Sequence, residues 1–189
     1  MATPIPFEIK LIIFLAGTLA LAYVSRAALL RARSHGFFRF FAWEAILAII
    51  LLNLEHWIAD PFSPHQILSW ICLLIATFLV IHGFVLLGRM GKQDAQRSGD
   101  ELYAFEKTTA LVTEGAYRWI RHPLYSSLLF LAWGSYLKWL TWPGLALVLV
   151  ATACLAATAR IEEGENVKFF GPAYAEYRKR TKMFIPYLF

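Results

Sequence analysis

Cysteine is almost absent from this sequence. Its two copies, Cys72 and Cys154, each lie in a long apolar run, which excludes a disulfide framework and a thiolate metal site, and no metal ligand set is expected. Charge is scarce as well, at 16% Asp, Glu, Lys and Arg against about 25% in an ordinary soluble domain. Together with 59% hydrophobic residues, that scarcity excludes a disordered chain. It also excludes a soluble domain of 189 residues, which could not bury so much apolar surface. No glycine-rich nucleotide loop is present. The stretch Gly83–Gly91 lacks the G-x-G-x-x-G order and ends an apolar run, so a soluble nucleotide-binding α/β domain is not expected. Internal repeats and low-complexity segments are missing too.

What the sequence does have is long uncharged runs. Spanning a bilayer takes about 20 apolar residues. The runs predict transmembrane helices over 6–29, 40–58, 64–88, 123–137 and 139–159. The first is extended past Lys10 and Arg26, whose cationic heads can snorkel to the surface. The last two are separated by Lys138 and the breaker Thr141-Trp142-Pro143-Gly144, which reads as a tight hairpin. The fold class expected is all-α: one membrane domain over 1–189, five spans and a cytoplasmic C-terminal helical cap.

The net charge of +5 could suggest nucleic acid, but its distribution excludes that partner. All Lys and Arg except Lys10 and Lys138 fall within 26–39, 89–121 and 160–182. With five spans these three segments share one side, and the positive-inside rule makes that side cytoplasmic. A multi-pass membrane protein is expected, with its N-terminus outside and its C-terminus inside. The bilayer is its first partner. An apolar helix face suits lipid and a second subunit equally, so composition assigns no oligomeric state.

Two polar segments on that face, within 89–122 and 160–189, could carry chemistry. One is Gly115-Ala116-Tyr117-Arg118-Trp119-Ile120-Arg121-His122-Pro123-Leu124-Tyr125. The other is Arg160-Ile161-Glu162-Glu163, followed by Phe169-Phe170-Gly171-Pro172, Tyr174 and Tyr177. Pro123 suits the first helical position and holds His122 extended. Arg121 and His122 then stand at an electropositive helix start, which favours an anion. If the fifth helix ends where its apolar run ends, Glu162 and Glu163 lie at an electronegative helix end beside them. An anion site next to a cation site would suit a ligand carrying a carboxylate and an ammonium or sulfonium. Simpler readings stand beside this one. Arg118 reads equally as an anchor for lipid phosphate, and Tyr174 and Tyr177 as an interfacial aromatic anchor. The glutamates read equally as a solvated helix end, and His82 and Glu55-His56 as hydrated span ends.

In combination these motifs are recognisable. Gly-x-Tyr-x-x-x-Arg-His-Pro-x-Tyr, a membrane hairpin, Glu-Glu and Phe-Gly-Pro-x-Tyr-x-x-Tyr closing on Ile185-Pro186 resemble the isoprenylcysteine carboxyl methyltransferase and phospholipid methyltransferase superfamily. The resemblance covers Leu111–Pro186; over the first three spans only the layout is similar. It implies an S-adenosylmethionine-dependent methyltransferase acting on a lipophilic acceptor presented from the bilayer. It implies a cofactor site of Tyr117, Arg121, His122, Pro123, Tyr125, Glu162 and Glu163, with Arg160, His122 and Glu163 as catalytic candidates. Prenylcysteine carboxylate, phospholipid amine, a small thiol and other isoprenoids are all compatible acceptors. A related membrane enone or sterol reductase using NADPH also carries Arg-His-Pro-x-Tyr. There the motif continues with glycine and aspartate, whereas Ser126, Ser127 and Leu128 follow here. A non-catalytic lipid-binding scaffold is the third reading.

Overall fold

The computed structural model describes residues 5–91 and 109–188. The expected cytoplasmic segment 89–122 therefore lies partly outside the described residues. Among those described, every regular element is helical: α1 (Phe7–Val24), α2 (Arg26–Leu29), α3 (His35–Leu52), α4 (Pro64–Met90), α5 (Pro123–Tyr136), α6 (Trp142–Phe170) and α7 (Pro172–Arg180), with short 3₁₀ turns at Leu54–His56 and Gly115–Arg118. The helix starts follow local chemistry. Ser34 accepts from Phe37 N at α3, and Thr141 accepts from Gly144 N at α6. Pro64, Pro123, Pro143 and Pro172 occupy the first turns of α4, α5, α6 and α7.

Four helices, α1, α3, α4 and α6, are long and apolar enough to cross a membrane. The expected span at 123–137 is a helix, but its 14 residues give about 21 Å, short of the roughly 30 Å hydrocarbon core. Other boundaries moved as well. The run read as 6–29 breaks at Ser25 into α1 and α2. The helix expected over 40–58 begins at His35, one residue past its serine cap, and ends at Leu52. The largest shift is in α6, expected to stop at Ala159, which continues to Phe170. The end of an apolar run had been taken for the end of a helix. Hydrogen bonding persists through the polar stretch until Gly171, at φ +60°, and Pro172 stop it. Glu162 and Glu163 are thus on the body of a helix, not at its electronegative end.

Helices α3, α5 and α6 enclose the core. Ala45, Ile46, Ile49, Ala132, Val148 and Ala151 form one buried cluster, and Ala42, Tyr125, Leu129, Leu155, Ala159 and Phe184 another. Small residues let the backbones approach, as membrane helices require. Helix α4 packs along α5 where Gly134 faces Leu73 and Cys72. Helix α1 buries no residue and leans on α3, with Thr18 donating to Glu44 at 2.7 Å. At the end of the bundle away from His122, polar side chains tie the helix ends together. Asn53 Nδ2 donates to the carbonyls of Ser135 (2.8 Å), Tyr136 (3.3 Å) and Trp139 (3.2 Å). Gln66 donates to Lys138 O at 3.0 Å and accepts from Lys138 Nζ at 3.1 Å. Glu55 pairs with Lys10 at 2.7 Å, and the His56 ring stacks on Trp139 at 4.2 Å.

Candidate functional site

The motif around His122 is shaped by one glycine and one extended strap. Gly115 has φ +56°, and a Cβ there would collide with the His82 ring, so only glycine fits. Ala116 N donates to His82 Nε2 at 3.3 Å, which gives that histidine a structural role. The turn that follows directs Tyr117 inward, and Tyr177 Oη donates to Tyr117 O at 2.6 Å.

The strap runs alongside the motif in a short parallel pairing. Lys182 N donates to Trp119 O (3.0 Å), Arg121 N to Lys182 O (2.8 Å) and His122 N to Met183 O (3.2 Å). Ser126 Oγ, fully buried, bonds both His122 O (2.9 Å) and Phe184 O (2.8 Å). Pro123 is buried at the first position of α5, and His122 before it has φ −124° and ψ 64°.

Glu163 sits at the centre of the charges. Its carboxylate receives Arg121 Nε at 2.6 Å and Arg178 Nε at 3.3 Å, and lies 3.4 Å from His122 Nε2. Arg121 also donates through Nη1 to Thr181 O, and to Arg178 O at 3.4 Å. An acid only 4% exposed persists because these cations surround it. His122 is itself buried, its ring stacked on Tyr125 at 5.4 Å. Its Nε2 is close to Glu163 but outside hydrogen-bond geometry, and has no hydrogen-bond partner among the described residues. Its Nδ1 lies 4.0 Å from Glu162.

Next to this cluster is a cleft. Polar groups of Glu162, Asn166, His122 and Arg121 face it, with Tyr117, Tyr125, Phe170, Tyr174 and Tyr177 as aromatic walls. Leu87, Leu111, Val112 and Leu124 make its apolar side. Its enclosed part is only about 90 Å³, so any ligand larger than a few atoms extends into the mouth. Burial pushes the phenols of Tyr117, Tyr174 and Tyr177 well above the usual tyrosine range, and for Tyr117 and Tyr174 the charge of Glu162 adds to the effect.

Most of the expected site residues therefore come together, although three do not line the cleft and one has a different job. Arg160 is exposed on α6, Pro123 is buried at the start of α5, and Glu163 is buried in the ion cluster beside the cleft. Arg121 lines it, but its guanidinium is engaged by Glu163 and the strap carbonyls. Tyr174 and Tyr177, read from sequence as a surface anchor, are buried cleft walls. Their i, i+3 spacing on α7 was the available signal. Asn166 and Phe170 were not anticipated. They follow Glu162 at i+4 and i+8, and were hidden because α6 was expected to end before them.

Fold and site define a membrane protein, all-helical among the described residues, with an aromatic-walled cleft lined by a buried histidine and Glu162 and set beside the buried Glu163. Within that class the chain belongs to the phospholipid methyltransferase family, whose model matches residues 64–173, more than half of the chain. The match takes in all of α4, which sequence reading had credited with a similar layout only. Among curated proteins, the chain is similar to a methanethiol S-methyltransferase of Pseudomonas deceptionensis (31% identical, covering 64% of this chain and 43% of that one). It is also similar to protein-S-isoprenylcysteine O-methyltransferases of Xenopus laevis (29% identical; 77% and 51%) and Tribolium castaneum (30% identical; 78% and 62%). The chain spans about half the length of the curated relatives it matches.

Proposed function

We propose that the protein is an S-adenosylmethionine-dependent methyltransferase acting on a lipophilic acceptor. The observation that carries this reading is the cleft itself, in which carboxylate, amide and imidazole groups face one another between tyrosine rings in a chain of this family. Such a donor set fits a ligand with an ammonium group, a cationic sulfur and a heteroaromatic base. Glu162 and Asn166 would hold the ammonium, and the rings of Tyr117, Phe170 and Tyr174 would flank the base. When bound, that cofactor supplies an electrophilic methyl group on a positive sulfur.

The chain's own residues contribute position and charge. Glu163 pairs with Arg121 and Arg178 and so joins α6 to the motif before α5 and to α7. Arg121 builds the wall rather than clamping a carboxylate. His122 lines the cleft, and its imidazole can take a proton from an acceptor that must lose one; a thiolate or carboxylate needs no such base. Leu87, Leu111, Val112 and Leu124 give an apolar acceptor its contact surface, and alignment of acceptor and methyl group supplies most of the rate. The relatives named for methanethiol and for isoprenylcysteine share an apolar acceptor, which supports this class. We place the N-terminus outside and the C-terminus in the cytoplasm, from the cation distribution, with α5 as a short fifth span and the site on the cytoplasmic face.

Two measurements test the reading. Purified full-length protein should show calorimetric heat with S-adenosylmethionine and with its demethylated product, and should transfer radiolabelled methyl groups into a membrane lipid and thiol extract. Absence of heat with both ligands overturns it, and a thermal shift with NADPH in their place would favour a reductase.

A further inference from the structure

A second cleft, of about 410 Å³, lies beside the first and is lined by Thr113, Arg118, Trp119, Tyr177 and Arg180. The two share only the Tyr177 side chain. Their electrostatics differ. In the first, the guanidinium of Arg121 is neutralised by Glu163. The second has two arginines and no acid in its lining, and neither Arg118 nor Arg180 forms an ion pair among the described residues. Arg118 instead lies over the Trp119 ring, 5.5 Å from its centroid, and that indole also meets the Tyr187 ring at 5.6 Å. Thr113 adds a hydroxyl donor.

We propose that this pocket binds the phosphate group of an anionic phospholipid. Two arginines and a threonine line one cleft, and the guanidinium fork is the side chain best suited to phosphate oxygens. The lipid-borne source follows from position. Trp119 is 46% exposed and stands four residues before the start of α5, where the chain turns from polar to apolar. A half-exposed indole at such a boundary sits at headgroup depth. In the adjoining basic run Arg178 and Lys179 are paired with Glu163 and Glu176, while Arg180 and Lys182 form no ion pair among the described residues and keep a charge of the sign that attracts anionic lipid. Binding here does not depend on methyl transfer, so the inference stands or falls separately from the function proposed above.

The test is thermal unfolding of the full chain in uncharged detergent with dioctanoyl phosphatidylglycerol, dioctanoylglycerol or inorganic phosphate at equal concentration. Phosphatidylglycerol should raise Tm by about 3 °C at roughly tenfold excess over its Kd, and the other two should not. The Arg118→Gln/Arg180→Gln variant should lose the shift. Lys179→Gln/Lys182→Gln, which removes the same charge outside the pocket, should keep it. If the glutamine pair does not fold, Arg118→Lys/Arg180→Lys, which keeps charge but loses the forks, should lose at least about half of the shift. An equal loss in both glutamine variants would show diffuse attraction and overturn the pocket, as would a full shift in the arginine variants or none in the wild type. A shift produced by inorganic phosphate overturns the lipid source.

Discussion

At the scale of single residues, two neighbouring acids separate stability from binding. Glu163 is buried among Arg121, Arg178 and His122, whereas the Glu162 side chain is 24% exposed in the cleft. Glu163→Gln should cost about 3 kcal/mol of stability, because the largely buried Arg121 loses its counter-charge. Glu162→Gln should leave stability within about 0.5 kcal/mol and weaken binding of the demethylated cofactor instead. Thermal melts and calorimetry on both variants check this, and equal melts would reject the division of roles. The tyrosines add a pH signature. Tyr117, Tyr174 and Tyr177 have folded pKa values raised above the unfolded value near 10. Their stabilising contribution is complete below about pH 10 and falls above it, as the unfolded chain releases protons the folded one retains, by up to about 1.4 kcal/mol per pH unit for each group. Melting curves from pH 9 to 11 should fall more gently in Tyr117→Phe than in the wild type. Sequence revealed most of these side chains, since Tyr117, His122, Tyr125 and the glutamates stand out in a chain so poor in polar residues. It placed Arg121 beside the glutamates as a separate anion site, and did not reveal that Glu163 itself fills that site, a pairing between positions 42 apart.

At the scale of elements, apolar runs locate helices well and their ends poorly. Burial in lipid sets where charge may appear, but hydrogen bonding and breakers set where a helix stops, and in α6 these differ by eleven residues between Ala159 and Phe170. That difference turned an expected pair of opposing helix ends into a site on the side of one helix. Two contacts between elements can be tested. A Cβ on Gly134 would lie 3.0 Å from Leu73 side-chain carbons, so Gly134→Val should force α4 from α5 and cost about 1–3 kcal/mol. Ser126→Ala removes the hydroxyl that bonds α5 to the strap and should cost about 1 kcal/mol. In that variant limited trypsin treatment should cut at Arg180 or Lys182 faster than in the wild type.

At the scale of the whole molecule, the distribution of cations carries the proposed orientation and the polar tethers shape the bundle. With Cys72 and Cys154 replaced by serine, a cysteine introduced at Ser63 should react with a membrane-impermeant maleimide added outside the cell, and one at Lys179 should not. The reverse pattern would invert the proposed topology. The tether at the far end was not legible from sequence. Asn53, Gln66 and Lys138 look like isolated polar residues until α3, α4 and α5 bring them together, because side-chain partners 72 and 82 positions apart leave no local pattern. The strap carries one more consequence, for the order of synthesis. Residues 181–184 leave the ribosome after all seven described helices, yet they pair with the backbone of Trp119, Arg121 and His122 and so hold the motif in place. Insertion into the bilayer can therefore finish while the motif around His122 is still untethered, and a chain released before Phe184 would be delivered and anchored without the bonds that hold His122 and Ser126.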